Sequence, residues 1–113
     1  MSISPSVEYM ERAYDEAKDG RYSRQPYIDM VIPSLTDPSV APPGKHNVTV
    51  WGQWHPYALS NGETWDGIGE REATKLVEAV DRVAPGFASS VEQMHVQTPV
   101  DLERELGLRG GQV

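Results

Sequence analysis

The run from Asn47 to His55, NVTVWGQWH, constrains the fold more than any other stretch of the chain. Its alternating β-branched, aromatic and polar residues predict a strand, and the proline-rich turn DPSVAPPGKH before it predicts where that strand begins. Alternation assigns two sets of side chains to opposite faces. The core set is Val48, Val50 and Trp54. The second set, unusually large and polar, is Thr49, Trp51, Gln53 and His55.

Five further segments have patterns typical of helices or strands. Ser4 is the predicted N-cap of the first helix, with Pro5 at its first position. The last helix has the clearest start, because Thr98, Pro99 and Asp101 form a variant capping box. The predicted elements are a helix from Pro5, strands over 27–32 and 47–55, a helix over 69–84, a strand over 90–97 and a helix from Pro99.

The order α-β-β-α-β-α predicts a single α+β domain over residues 1–113. Its small, mainly antiparallel three-stranded sheet has helices packed on one face. The other face would hold Trp51 and its neighbours, together with Gln93 and His95 from the third predicted strand. An exposed tryptophan on a bare sheet face is costly, and open edges invite pairing. We therefore expect a ligand, another domain or a second copy of the chain to cover this face.

Composition excludes several function classes. Ten Lys and Arg residues are scattered among 17 Asp and Glu residues, for a net charge of −7. Nucleic-acid binding needs clustered basic residues, so neither nucleic acid nor an anionic membrane is an expected partner. Apolar runs are only a few residues long, so no membrane span is predicted. The N-terminus lacks a signal-peptide pattern, and we expect a cytoplasmic protein.

No catalytic or metal-binding group is predicted from the residues themselves. The chain has no cysteine, which excludes disulfides, thiolate metal sites and a cysteine nucleophile. Its three histidines lack metal-ligand spacing. His55 and His95 could meet across neighbouring strands, but the favoured interpretation is two hydrogen-bonding surface histidines. There is no G-x-S-x-G motif, and GIGERE at 67–72 lacks the dinucleotide-binding pattern.

Four stretches carry a resemblance to a known family. They are IPSLTDPSVAPPGKHNVTVWGQWHPY with the following TWDG, then REATKLVEAVDRVAPGFASSV, and finally TPVDLERELGLRGGQV. The chain resembles a segment of the phytoene dehydrogenase-related, FAD-dependent oxidoreductases. The resemblance covers nearly all of this chain but only a minor, C-terminal part of such an enzyme.

The resemblance implies that the segment is part of a substrate domain whose open sheet face looks toward the substrate cavity near the flavin. Trp51, Gln53, His55 and Tyr57 would then line or border that cavity. Gly110 and Gly111 would be cofactor-binding residues, at the start of the glycine-rich stretch that leads back to the flavin domain. The dinucleotide fingerprint is absent and the glycine-rich stretch stops at Val113, so the isolated chain is expected to hold no FAD.

Three hypotheses follow. The first is a truncated substrate-domain segment that is not catalytic alone and forms a homo-oligomer through its open sheet. The second is a subunit of a split oxidoreductase, in which a separate flavin-domain chain supplies the cofactor. The third is a small apolar-ligand binding protein that uses Trp51, Trp54 and Tyr57.

Overall fold

The structure, a computed structural model, describes residues 1–112. Three strands and four helices form the framework, with short 3-10 turns in the connections. The strands are β1 (Ser2–Ile3), β2 (Tyr27–Val31) and β3 (Thr49–Gln53). The helices are α1 (Val7–Lys18), α2 (Trp65–Val83), α3 (Phe87–Ser90) and α4 (Pro99–Leu106). None of the helices in this described range is long and apolar enough to cross a membrane.

The sheet confirms the predicted α+β class, since its three strands run antiparallel in the order β1-β2-β3. Its central strand is β2. Asp29 of β2 lies opposite Ser2 on one side and opposite Trp51 on the other. The β3 strand therefore forms one edge of the sheet.

The third strand is not the predicted one. Residues 91–98 are irregular, and the third strand is instead β1, at the start of the chain. Met1 and Met30 extend the β1–β2 pairing, because each donates a backbone N–H to the other's carbonyl oxygen at 2.7 Å. The element order is accordingly β-α-β-β-α-α-α. The position of Gln93 and His95 on the sheet face was also wrong.

The end of the stretch 91–98 packs against α2 rather than joining the sheet, through Val96 and Thr98. Gly69, in the second turn of α2, makes this contact possible. A Cβ at Gly69 would lie 2.7 Å from Cγ2 of Thr98 and 4.0 Å from Cγ1 of Val96. Alternation alone cannot distinguish such contact with a helix from a place in a sheet.

Two helices begin elsewhere than predicted. Ser6, not Ser4, caps α1, and its hydroxyl accepts a hydrogen bond from the Tyr9 N–H at 3.2 Å. The shift follows from β1, which holds residues 2 and 3 in the sheet. Thr64 caps α2, accepting from the Gly67 N–H at 3.3 Å, so that helix begins four residues before its predicted start.

The capping box of α4 is confirmed. The Asp101 N–H donates to the Thr98 hydroxyl oxygen at 3.2 Å, and the Thr98 N–H donates to the Asp101 carboxylate at 2.9 Å. Gly107 ends the helix with φ 69°, a left-handed conformation that favours glycine. These interactions span a few residues, which is why the sequence predicted them.

The core lies between α2 and one face of the sheet. Ile28 and Val80 are fully buried at its centre, beside Ala79. Partly buried apolar side chains surround them: Ile3, Met30, Val50, Leu76 and Phe87. A Cβ at Gly52 would lie 2.7 Å from a methyl group of Leu76, so this glycine lets α2 approach β3 closely.

Candidate functional site

The sheet face opposite this core is largely uncovered, and we call it the open face. Its residues are Tyr27, Asp29 and Val31 of β2 and Thr49, Trp51 and Gln53 of β3. Trp51 is 44% exposed and Val31 is 58% exposed. The predicted placement of Trp51 and Gln53 on a face away from the core is thus confirmed.

Asp29 is the only charged residue on the open face. Its carboxylate accepts hydrogen bonds from the hydroxyl groups of Ser2 and Tyr27, the latter at 2.7 Å. These bonds, that of Ser2 first, lower the pKa of Asp29 below its ordinary value. The carboxylate is therefore an anion at neutral pH and holds no proton to donate.

Aromatic rings border the open face at the end of β3. The Trp54 ring stacks on Tyr27 at a centroid distance of 6.1 Å and meets Tyr14 of α1 edge-on at 5.4 Å. Sequence alternation had placed Trp54 with Val50 on the core side. That placement was wrong, because β3 ends at Gln53 and its alternation ends there too.

His55 does not lie on the open face, which corrects its predicted placement. Its ring lies 5.5 Å from that of Trp65 in α2, and Nδ1 lies 3.1 Å from the Gly52 carbonyl oxygen. Burial lowers the pKa of His55, and the hydrogen bond with Gly52 opposes that effect only in part. At neutral pH this histidine is an uncharged part of the packing between β3 and α2.

Tyr57 is also turned away from the open face. It is 41% exposed, and its hydroxyl group donates a hydrogen bond to Glu103 of α4. The four predicted substrate-binding residues are therefore divided: Trp51 and Gln53 lie together, whereas His55 and Tyr57 contact different helices. Their binding of a substrate stays a prediction.

The glycine pair near the C-terminus was predicted to lead toward a flavin site. The Gly110 N–H donates to the Glu103 carboxylate at 3.0 Å, and the Gly111 N–H donates to the Leu108 carbonyl at 2.8 Å. A Cβ at Gly111 would lie 2.3 Å from the Pro99 carbonyl oxygen. Both amides thus form hydrogen bonds within the chain, and the Glu103 carboxylate lies beside Gly110. The cofactor-binding role of the glycine pair stays a prediction.

Sequence reasoning missed a buried carboxylate on α2. The side chain of Glu72 is only 5% exposed and accepts hydrogen bonds from Lys75 at 2.8 Å and Arg71 at 3.0 Å. Both cations also lie over the ring of Tyr22: Nζ of Lys75 is 4.8 Å and Cζ of Arg71 is 5.3 Å from the ring centroid. A signal was present, because Glu72 falls midway between the core-facing Ile68 and Leu76 on one helical stripe.

Two clefts lie away from the open face. One of about 380 Å³ lies between α1 and residues 23–25, and one of about 340 Å³ between the start of α2 and residues 94–98. Residues 1–112 contain no group of three or more His, Asp or Glu side chains arranged to hold a metal ion.

Comparison with known proteins gives sequence relatives only. No family model and no solved structure matches the chain. It is 40% identical over 105 residues to pyridine nucleotide-disulfide oxidoreductase domain-containing protein 2 of Rattus norvegicus, covering 92% of this chain and 18% of that protein. It is 29% identical over 102 residues to phytoene dehydrogenase of Streptomyces griseus, covering 88% of this chain and 20% of that protein.

A third relative is the chloroplastic prolycopene isomerase of Arabidopsis thaliana, 28% identical over 92 residues, which covers 72% of this chain and 14% of that protein. The chain thus spans a fifth or less of the length of these relatives. The predicted resemblance is confirmed at a coarser level than phytoene dehydrogenases, because the rat protein is more similar. The chain is related to one segment of a flavin oxidoreductase-related family of larger proteins.

Proposed function

We propose that this chain forms part of the substrate-side wall of a phytoene-dehydrogenase-like, FAD-dependent oxidoreductase, and that it is not catalytic by itself. One observation carries the proposal: Trp51 stands 44% exposed on a sheet face opposite the core, in a segment related to flavin oxidoreductases. Exposed apolar side chains that share one sheet face, such as Trp51 and Val31, are typical of a surface that a ligand or another part of a protein covers. We further propose that the isolated chain self-associates through its open sheet.

The proposed division of labour assigns binding to this chain and redox chemistry to the cofactor. FAD would accept the hydride, and protein outside the 113 residues would hold it. Trp51 would offer a flat apolar surface to a long hydrocarbon substrate, with the aromatic rings of Tyr27 and Trp54 at one end. Gln53 would supply a neutral hydrogen-bonding group at the same border.

A segment graft tests this proposal. The part of the Streptomyces griseus phytoene dehydrogenase that aligns with this chain is replaced by the chain itself, and the graft is compared with its Trp51→Ala variant. We expect both proteins to keep equal flavin absorbance, because the flavin is held elsewhere. Phytoene added to the graft should perturb the flavin spectrum, and Trp51→Ala should weaken that titration by about tenfold, the usual effect of losing one good aromatic contact.

The matched control is Val31→Ala, on the same face but at the opposite end of β2 from the aromatic rings. It should alter the titration less than Trp51→Ala does. Loss of flavin from the Trp51→Ala graft would show that the open face serves the cofactor rather than the substrate. A phytoene titration that Trp51→Ala leaves unchanged would contradict the proposal.

The apolar-ligand hypothesis receives less support. A small-molecule binder encloses its ligand, but the two clefts described above lie beside α1 and α2 rather than over the open face. The tryptophans of the isolated chain would report a ligand bound there. Unchanged emission on titration with phytoene would remove this hypothesis and leave the proposal of a cavity wall intact.

A further inference from the structure

We propose that two copies of the chain pair antiparallel along the outer edge of β3, in one register, with the two-fold axis at Trp51. The result is a continuous six-stranded sheet. The inference rests on the self-association proposed above and names its surface and geometry. It does not depend on the relationship to flavoproteins.

The direction of the backbone groups follows from the β1–β2 pair. Met30 exchanges two hydrogen bonds with Met1, so its N–H and C=O point toward β1. Successive residues of a strand point their N–H and C=O groups to opposite sides. Asp29, next to Met30, therefore bonds to β3. Trp51 lies opposite Asp29 and bonds back to β2. The N–H and C=O groups of Val50 and Gly52 therefore point outward from the sheet edge.

Within residues 1–112, no strand pairs with these groups. Among residues 1–112, the one hydrogen bond to them outside the sheet joins the Gly52 carbonyl oxygen to Nδ1 of His55 at 3.1 Å. A carbonyl oxygen has a second lone pair, so this bond does not prevent pairing. The strand TVWGQ contains no charged residue and no proline, both of which protect natural sheet edges from pairing.

The register follows from the same groups. Pairing Val50 with Gly52 of the second copy uses the outward groups of both residues, in two symmetric pairs. A register centred on Val50 or on Gly52 would use one pair only. The chosen register puts the two Trp51 residues directly opposite each other with Cα atoms about 4.5 Å apart, and Thr49 opposite Gln53.

Charge favours this edge over the rest of the surface. The chain carries a net charge of −7, so two copies repel each other over most approaches. No Asp or Glu occurs between Asp37 and Glu63, and Lys45 is the one charged residue between them. In the proposed dimer the two Asp29 residues are three strand spacings apart, about 14 Å, which is beyond the screening length at physiological salt.

Size predicts a weak dimer. Two five-residue edges and one pair of tryptophans bury less than the roughly 1,200 Å² of a small stable interface, so we expect a dissociation constant above about 1 μM. Sedimentation of the unmodified chain over a wide concentration range measures it. A chain that stays monomeric at about 1 mM, where even a weak edge pairing is populated, overturns the proposal.

A charge-swap pair tests the register. Thr49→Glu with Gln53→Lys places opposite charges across both ends of the interface, whereas Thr49→Lys with Gln53→Lys places like charges there. We expect the first variant to dimerise at least as tightly as the unmodified chain and the second about tenfold more weakly. Equal affinities of the two variants contradict the register. Both sites lie on the open face, and near-ultraviolet circular dichroism checks that each variant is folded.

The absence of cysteine gives a second test. Under mild oxidation, Trp51→Cys should form a disulfide dimer quickly, because the two Cα atoms lie within disulfide reach. Val31→Cys is the control, being more exposed but on β2, too far from its counterpart across the axis. Equal cross-linking of the two variants overturns the proposal. Neither result bears on flavin binding in the graft, so this inference and the proposed function fail independently.

Discussion

The two faces of the sheet differ in almost every property that packing controls. On the α2 side Ile28 is fully buried, and Leu76 packs so close to Gly52 that a side chain there would not fit. On the open side Trp51 and Val31 are exposed, although they occupy the same two strands. The same strands therefore meet the needs of folding on one face and leave the other available for contact with a substrate or a partner.

This difference predicts which substitutions change stability and which change binding. Successive residues of a strand point to opposite faces, so they share the backbone environment but not the neighbours. Stability should depend on the α2 side, and binding on the open side. The predictions below test how far that separation holds.

The largest effect is expected from Ile28→Ala, compared with Val31→Ala in the same strand. Ile28 is completely buried, and its truncation should lower the free energy of unfolding by about 2–5 kcal/mol. Val31 is 58% exposed, and its truncation should cost about 0.5 kcal/mol or less. Urea unfolding measures both. Similar losses for the two variants would mean that the faces are not energetically distinct in the free chain.

A smaller effect is expected from Glu72→Gln, which tests how much the buried Glu72 carboxylate contributes to stability. The substitution weakens the hydrogen bonds from Lys75 and Arg71 and should lower the free energy of unfolding by about 1–2 kcal/mol. Glu70→Gln, exposed on the same helix, should change it by less than about 0.5 kcal/mol. Equal losses from the two substitutions would assign Glu72 no more importance than a surface carboxylate.

The smallest effect is expected from the titration of His55. Burial holds its pKa in the folded chain below the ordinary 6.5, so the unfolded chain takes up a proton first as the pH falls. Stability should then decrease below about pH 6.5 and stop decreasing, as regards this group, below the folded pKa. The slope can reach at most about 1.4 kcal/mol per pH unit for one proton.

His55→Gln should remove that part of the pH dependence, and His95→Gln serves as the control because His95 is exposed on the irregular segment. Unfolding by urea at several pH values between 5 and 7.5 compares the three chains. A slope that persists unchanged in the His55→Gln variant would show that carboxylates alone produce it.

Local interactions were predictable from the sequence, and distant ones were not. Thr98 and Asp101 are three residues apart, and their capping box was predicted correctly. The strand over 27–32 was predicted within one residue, because its alternation is local. By contrast, β1 has two residues and exists through pairing with a strand about 27 positions away, a contact that no local pattern records.

The candidate site shows the same limit. Trp51 was placed correctly because it lies inside β3, where alternation holds. His55 and Tyr57 follow the end of that strand, and their directions depend on contacts with Trp65 and Glu103, which are distant in sequence. The early start of α2 was missed because Gly67 and Gly69 lower helix propensity, which tertiary packing overrides here.

Gly69 has a consequence for engineering this chain. Replacing helical glycines with alanine is a common route to greater thermal resistance, since alanine is the better helix former. At this position the added methyl group would meet Thr98, which its capping box holds in place. A stabilisation strategy based on helix propensity alone would therefore loosen the contact of Val96 and Thr98 with α2.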